Sequence, residues 1–372
     1  MAKRRYKKKK LTLGQFIIFI LVVAILSGAY YYYENYYKKN PSVPIEGELS
    51  FHFMMLGNDH SGDSVYIKAG DNDILIDAGS ETNSVDDIKD YVDQYCTDGK
   101  LEYVIATHGD SDHIAGFAGT TKANTSIFDF YTTGVIIDFP LTNKSKPAHN
   151  TETYNRYVEK RNNEVSEGAV HFTALECYNQ TKEGAKRSYD LGDSITMNIL
   201  YQKYYEVETT KENNYSVCVM FTHGDRNFLF TGDLEKSGEA SLVEENQLPQ
   251  VELYKSGHHG SKTSSTADFL SVIKPKMVVI TCCAAEPEYG DGYGFPHQET
   301  IDNISLYTDK VYCVSTCDPS LTNGAEYVGL NGNIVVISAE TDITVNCSVT
   351  NALLKDTEWF KKNRTTPSAW IQ

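Results

Sequence analysis

From residue 49 onward the chain alternates short apolar and β-branched runs with clusters of Gly, Asp and Asn. SFHFMML, SVYIKAG, DILIDAG and LEYVIATHG are four such runs, and their alternation and turn-rich borders predict strands. Between the last two, SVDDIKDYVDQYC places Val85, Ile88, Tyr91 and Val92 at helical spacing, with Asp86 and Asp87 near its start. GVIIDF, SITMNILY, YSVCVMFTHG and RNFLFTGD predict further strands, TYNRYVEKRNNEVSEG an exposed helix and GEASLVEEN another. VELYKSG, KMVVITCC, KVYCVST and GNIVVISAET complete a second strand-rich half, with TADFLSVIK as a helix inside it. The polar segment 143–190 reads chiefly as a surface excursion. Hairpins leading into a sheet core, then a second strand-rich half with helices, predict an α+β domain.

The N-terminal pattern differs. MAKRRYKKKK precedes LTLGQFIIFILVVAILSGAYYYY, a stretch without a charge and long enough at about 20 residues to cross a bilayer as a helix. The expectation is a single transmembrane anchor over residues 11–33, with the basic segment 1–10 cytoplasmic and the remainder extracellular at the cell membrane. The competing reading is secretion after signal cleavage near Ala29, because Ser27-Gly28-Ala29 resembles a small-residue cleavage site. Residues 34–50, with Asn-Pro and a second Pro, read as a linker. The folded domain is expected over 51–348 and a C-terminal tail over 349–372, whose Trp359, Phe360 and Trp370 suit packing on that domain.

Charge sharpens this division. The first 39 residues hold nine Lys and Arg against Glu34 alone, so a chain of net −16 leaves −24 for the rest. Such a body has no general electrostatic footprint for nucleic acid, and a polyanion must be held by a local patch or by metals. Eight cysteines on an exported domain could form disulfides. Most, however, lie in runs such as VCVMF and VVITCC, where a cysteine acts as a small hydrophobe.

The candidate chemistry gathers at strand ends. THGDSDH puts His108, Asp110, Asp112 and His113 into the loop and first helical turn after a strand. Imidazole nitrogen with carboxylate oxygen suits zinc, manganese or iron, while the bland alternative is an Asp-rich helix cap. FLFTGD delivers Asp233 after a glycine, a geometry in which one carboxylate can bridge two cations, although TGD by itself more often reads as a plain turn. In GHHGSKTSS, one of His258 and His259 can ligate while the other meets substrate, and Ser261, Lys262 and Ser264 offer a nest for a phosphate. GYGFPHQET adds His297 in a loop shaped by Gly and Pro.

Taken in order, ILIDAG, ATHGDSDHIAG, FLFTGD, GHHGSKTSS and PHQE resemble the metallo-β-lactamase superfamily, and within it the hydrolase domain of the competence protein ComEC and its relatives. The similarity extends over most of residues 51–340, to the closing strand NGNIVVIS. It implies an αββα sandwich with two divalent ions at one edge, zinc or manganese, with magnesium as a further candidate. Carried over, His108 and Asp110 bind the first ion, Asp112 and His113 the second, and Asp233 bridges. His259 is the expected ligand of the pair, and Asp77 in LIDAG orients the ligands. Asp110 stands where many members have a histidine. Asn214, assigned to substrate contact, stands where a further histidine is usual, so the first site is oxygen-rich.

The resemblance implies a metal-dependent phosphodiesterase in which Asp112, His258 and His297 are catalytic and Ser261, Lys262, Ser264 and Asn214 hold the substrate. DNA, an envelope polymer and a phosphocholine ester are the candidate substrates, and no nucleotide cofactor is called for. The rival class is a surface binding or adhesion module with a structural or vestigial metal site, which the absent ligand at Asn214 and the 26 tyrosines favour.

Overall fold

The computed structural model describes residues 47–56, 62–82, 84–284, 294–316 and 328–371, with Gly14, 21–24, 26–28 and Tyr30 of the N-terminal region. Residues 1–43 and 44–372 form separate units, and the fold described here is that of the second.

Two eight-stranded sheets build it. The first contains β1 (Leu49–Phe53), β2 (Val65–Ala69), β3 (Asn72–Ile76), β4 (Lys100–Ile105), β5 (Thr132–Asp138) and β6 (Val170–Thr173). The second contains β7 (Ser188–Gly192), β8 (Ile195–Leu200), β9 (Cys218–His223), β10 (Arg226–Phe230), β11 (Leu253–Lys255), β12 (Val278–Ala284), β13 (Val311–Thr316) and β14 (Val328–Gly329). β15 (Ile334–Ser338) and β16 (Ile343–Cys347) return to the first sheet, whose order is β16-β15-β1-β2-β3-β4-β5-β6. The second sheet runs β14 to β7 in reverse sequence order. Both sheets are mixed: β3 to β6 and β10 to β13 pair in parallel, their neighbours antiparallel.

Inward-facing aromatics join the two sheets. Phe51 meets Phe228 and Phe221 at ring-centroid separations of 4.8 and 5.6 Å, and Phe53 stacks on Phe230 at 6.0 Å. These rings are fully buried, and each contributes about 2 kcal/mol or more through burial. On the outer faces lie α1 (Ser84–Val92), α2 (Ser111–Ala118), α3 (Glu152–Glu167), α4 (Ala174–Asn179), α5 (Lys236–Glu245), α6 (Ala267–Ile273), α7 (Gln298–Ser305) and α8 (Glu358–Asn363). α1 buries Val85, Ile88 and Val92, three residues of its apolar stripe. The tail brings Phe360 and Trp370 into the core between the second sheet and its helices.

Two expectations change. Segment 143–190 is more than a surface excursion: it contributes the edge strand β6, α3, α4 and part of β7. Its polar sequence hides this because edge strands and one-sided helices need few apolar positions. The membrane anchor is also corrected. A hydrocarbon core of about 30 Å needs roughly 20 consecutive apolar helical residues, and among the described residues no helix is long and apolar enough to cross a membrane. With it fall the membrane attachment and the extracellular placement that followed from it. Residues 1–10, most of 11–33 including Ala29, and 34–46 lie outside the described residues.

The cysteines Cys96, Cys177, Cys218, Cys282 and Cys313 are buried free thiols, and Cys347 is half-buried and free. Burial raises the thiols of Cys96 and Cys177 to about 11, which keeps them protonated and unreactive near neutral pH.

Candidate metal centre

The centre forms where β3, β4, β10 and β11 end. Past β3, Asp77 adopts a left-handed backbone conformation (φ 58°), which turns the chain and leaves its carboxylate inside. Past β4 the chain enters α2, whose Gly116 permits a close approach: a Cβ there would lie 2.3 Å from the Ala78 carbonyl oxygen. Gly116 N donates to that oxygen at 2.7 Å. This contact holds the start of α2, and with it Asp112 and His113, against the end of β3. Gly232 (φ 53°) packs against Thr107 and Ser216 and delivers Asp233 at the end of β10.

Asp77 orients the first histidine. Its Oδ2 lies 2.7 Å from His113 Nδ1, and its Oδ1 accepts from Thr107 N at 2.7 Å. His113 Nε2 then faces Asp233 Oδ2 at 3.2 Å. His259 is fixed in the same way, by Nδ1 against the Thr281 carbonyl at 2.9 Å, so its Nε2 stands 3.1 Å from Asp233 Oδ2 and 3.2 Å from Asp112 Oδ2. A histidine whose Nδ1–H is committed to an acceptor presents an Nε2 lone pair. Asp112, His113, Asp233 and His259 thus offer four ligand atoms within 4.8 Å of one another, and Asp63, Asp77 and His113 form a second such group sharing His113.

Electrostatics and satisfaction of polar groups both fit a cation. Burial opposes charge on His113 and His259, but the surrounding carboxylates, Asp233 foremost, outweigh it and raise both well above the usual histidine range. Burial likewise opposes ionisation of Asp233, yet the same two histidines hold its carboxyl well below the usual range. Ligating histidines must be neutral, and the carboxylates would then exceed the fixed positive charge. Divalent ions restore that balance. His108 Nε2, His113 Nε2 and Asp233 Oδ1 are buried without a hydrogen-bond partner, whereas buried polar atoms are ordinarily paired.

The family model described as Metallo-beta-lactamase superfamily matches residues 57–124, the segment that carries Asp77 and the THGDSDH loop. The fold is that of this superfamily. ComE operon protein 3 of Bacillus subtilis is 29% identical over 106 residues, which are 28% of this chain and 13% of that protein. Recombination protein 2 of Haemophilus influenzae is 28% identical over 107 residues, 29% of this chain and 13% of that protein. The matched segment is therefore a small part of these relatives. Among solved structures, the metallo-beta-lactamase fold protein YhfI from Bacillus subtilis aligns with 12% identity and a TM-score of 0.40, over 71% of this chain and 95% of that one. The metallo-beta-lactamase fold and the clustered His and Asp side chains are those of a metal-dependent hydrolase with the capacity for a binuclear centre.

The remaining candidates lie on the loops around this centre. His108 is fully buried, with Nδ1 3.1 Å from Thr107 Oγ1 and Nε2 3.5 Å from Asp110 Oδ2. His258 places Nδ1 2.8 Å from Thr263 Oγ1 and Nε2 4.0 Å from Asp233 Oδ2. His297 is buried, and its Nδ1 accepts from Lys262 N at 3.2 Å. Ser261 Oγ accepts from Thr263 N at 3.2 Å and Ser264 Oγ donates to the Leu234 carbonyl at 2.7 Å. Asn214 uses both ends of its amide inside the fold, accepting from Glu235 N and donating to Ser237 Oγ at 3.1 Å each. His223 ends β9 with its Nδ1 3.0 Å from Ser338 Oγ, a link between the two sheets.

Sequence reading missed two buried charges. Asp63, just before β2, contacts Thr281 Oγ1 and Lys255 Nζ, and its Oδ1 lies 3.4 Å from His259 Nδ1. Lys255, the last residue of β11, is 2% exposed and lies 3.8 Å from Asp233 Oδ1. A lysine inside the apolar run VELYK, separated by one residue from GHHGS, was the available signal, because buried lysines are rare unless paired.

Proposed function

We propose that this chain is a metal-dependent phosphodiesterase whose hydrolase domain spans residues 51–348, with 349–372 as a tail. The observation that carries the reading is a cavity of about 540 Å³ whose lining includes Lys262, His297, Lys362 and Arg364 against a single acid, Glu299. Lys262 and His297 belong to the two loops that border the metal centre. In a chain of net −16, cationic side chains gathered there favour an anionic group beside the ions. The motif order resembling the ComEC hydrolase domain supports the same chemistry. Because one relative is named a recombination protein, DNA is the diester we favour over an envelope polymer or a phosphocholine ester.

His108 and Asp110 would hold one ion, Asp112, His113 and His259 the other, with Asp233 between them. The oxygen-rich first end suits manganese, and the two-histidine end suits zinc as well. Divalent ions held there supply a nucleophile from water near neutral pH and screen charge developing on a phosphoryl oxygen. Asp112, a third exposed, is the ligand nearest solvent and orients the incoming water. His258 stands at the rim, where it can protonate the departing oxygen, and its bond to Thr263 fixes the ring for that role. Lys262, half-exposed, neutralises the phosphoryl group, and His297 holds the Lys262 backbone in place. Ser261, Ser264 and Asn214 support the loops through the bonds described above.

The test compares wild type with Asp233→Asn. Metal content is read by elemental analysis, and turnover of bis(p-nitrophenyl) phosphate and of a DNA oligonucleotide is followed with manganese or zinc. Outer partners of metal ligands already cost about 10–100-fold when removed, so loss of Asp233 should lower turnover more than about a hundredfold while the circular dichroism spectrum is kept. Wild-type turnover in the variant, or no bound metal in wild type, would sink the reading.

A further inference from the structure

Asp110 is held by a cation of the chain itself. Lys144 Nζ lies 2.6 Å from Asp110 Oδ1, while Asp110 Oδ2 is 3.5 Å from His108 Nε2. Both partners of this ion pair are partly buried, with side chains 21% and 26% exposed.

Lys144 is held in a built position and does not swing from an open surface. Glu212 accepts from Asn143 N at 2.7 Å, from Thr142 Oγ1, and from Gly109 N at 3.2 Å. One carboxylate therefore ties the turn before Lys144 to the residue between His108 and Asp110. Lys144 N donates to Thr142 Oγ1 at 3.0 Å, and its carbonyl accepts from Asn150 Nδ2 at 2.9 Å. Exposed ion pairs are worth little because two mobile side chains must be ordered to form them. Here much of that ordering is already done by the backbone.

The consequence is asymmetry. At the Asp112, His113, Asp233 and His259 end the lysine is Lys255, which is committed to Asp63 and stays 3.8 Å from Asp233 Oδ1, whereas Lys144 is paired directly with Asp110, and neither His108 nor Asp110 belongs to that compact group. Resting on the metal-centre reading, we infer that Lys144 competes with a divalent ion for Asp110 and sets the order of loading. The Asp112/His113/Asp233/His259 end fills first. The His108/Asp110 end fills only as the ammonium is displaced, which makes Lys144 a determinant of how many ions the centre holds at a given metal concentration.

Calorimetric titration of metal-stripped full-length protein with Mn²⁺ tests this. Wild type should show one tight event and a second weaker by at least about tenfold, the scale of one charged hydrogen bond. Lys144→Met and Lys144→Gln should tighten the second event by about tenfold and leave the first unchanged, whereas Lys144→Arg should keep the separation. Two events of equal affinity in wild type overturn the inference, with no variant needed. So does an unchanged second event in either neutral variant with native circular dichroism. Absence of any binding in wild type overturns the metal-centre reading as well, so the two failures are distinguishable.

Discussion

Lys255 and Asp63 form an ion pair sealed between the two sheets, and breaking it should be among the costliest single changes in the domain. Both side chains are within 3% of full burial, and among the described residues the ammonium, besides Asp63, reaches the Gly232 carbonyl at 3.3 Å and Asp233 Oδ1 at 3.8 Å. Burial disfavours the charged lysine, but Asp63 and Asp233 together hold its pKa above the usual range. Asp63 sits correspondingly below the usual carboxylate range, burial being outweighed by Lys255 and then His259. Removing one partner from such a pair leaves a buried uncompensated charge and costs about 3–5 kcal/mol. Lys255→Met should therefore lower unfolding stability by about that amount, or the melting temperature by roughly 5–15 °C. Urea unfolding followed by circular dichroism in the presence of a chelator is the suitable assay, since bound ions would add their own stabilisation. Lys255→Met/Asp63→Asn, which removes both charges, should recover about 1–3 kcal/mol relative to the sum of the single changes. A single-variant cost below about 1 kcal/mol, or strict additivity in the double variant, would refute the argument.

Two further outcomes follow from buried groups away from the metal. Glu239 is fully buried and accepts from Thr266 N at 2.9 Å, and burial pushes its carboxyl up to about 7. Between its unfolded value of 4.5 and about 7 the folded state keeps a proton that the unfolded state has lost, so stability falls as pH rises across that window. The loss approaches about 3 kcal/mol at 1.36 kcal/mol per unit. Urea midpoints of wild type and Glu239→Gln measured from pH 5 to 8 should diverge in this direction, and a flat difference would show that Glu239 is ionised throughout. Trp370 donates from Nε1 to the Thr308 carbonyl at 2.9 Å and packs on Phe360 at 5.9 Å. Trp370→Ala should cost about 3 kcal/mol, and the same unfolding assay would contradict this with an unchanged midpoint.

The sequence by itself determined the strands that form the sheets and the loops that carry the chemistry. Alternation along DILIDAG, LEYVIATHG and RNFLFTGD reports which residues face inward, and Asp77, His108, Asp112, His113 and Asp233 all follow strand ends. Local physics is sufficient for that, because strand period and turn chemistry depend on near neighbours. The same reading over residues 11–33 predicted a membrane span, whereas among the described residues no helix is long and apolar enough to cross a membrane.

Only the tertiary structure decided how the charges are paired. Asp63 meets Thr281 across 218 residues of sequence, Lys255 reaches it from the other sheet, and Lys144 reaches Asp110 from a loop that reads as plain polar surface. Asn214, singled out as a substrate contact, spends its amide on Glu235 and Ser237. His259 is separated from its equally eligible neighbour His258 by one hydrogen bond to the Thr281 carbonyl. Pairings of this kind depend on which strand ends meet in space. A buried charge gains its partner from wherever the fold brings one within a few ångströms, and spacing along the chain carries no record of that distance.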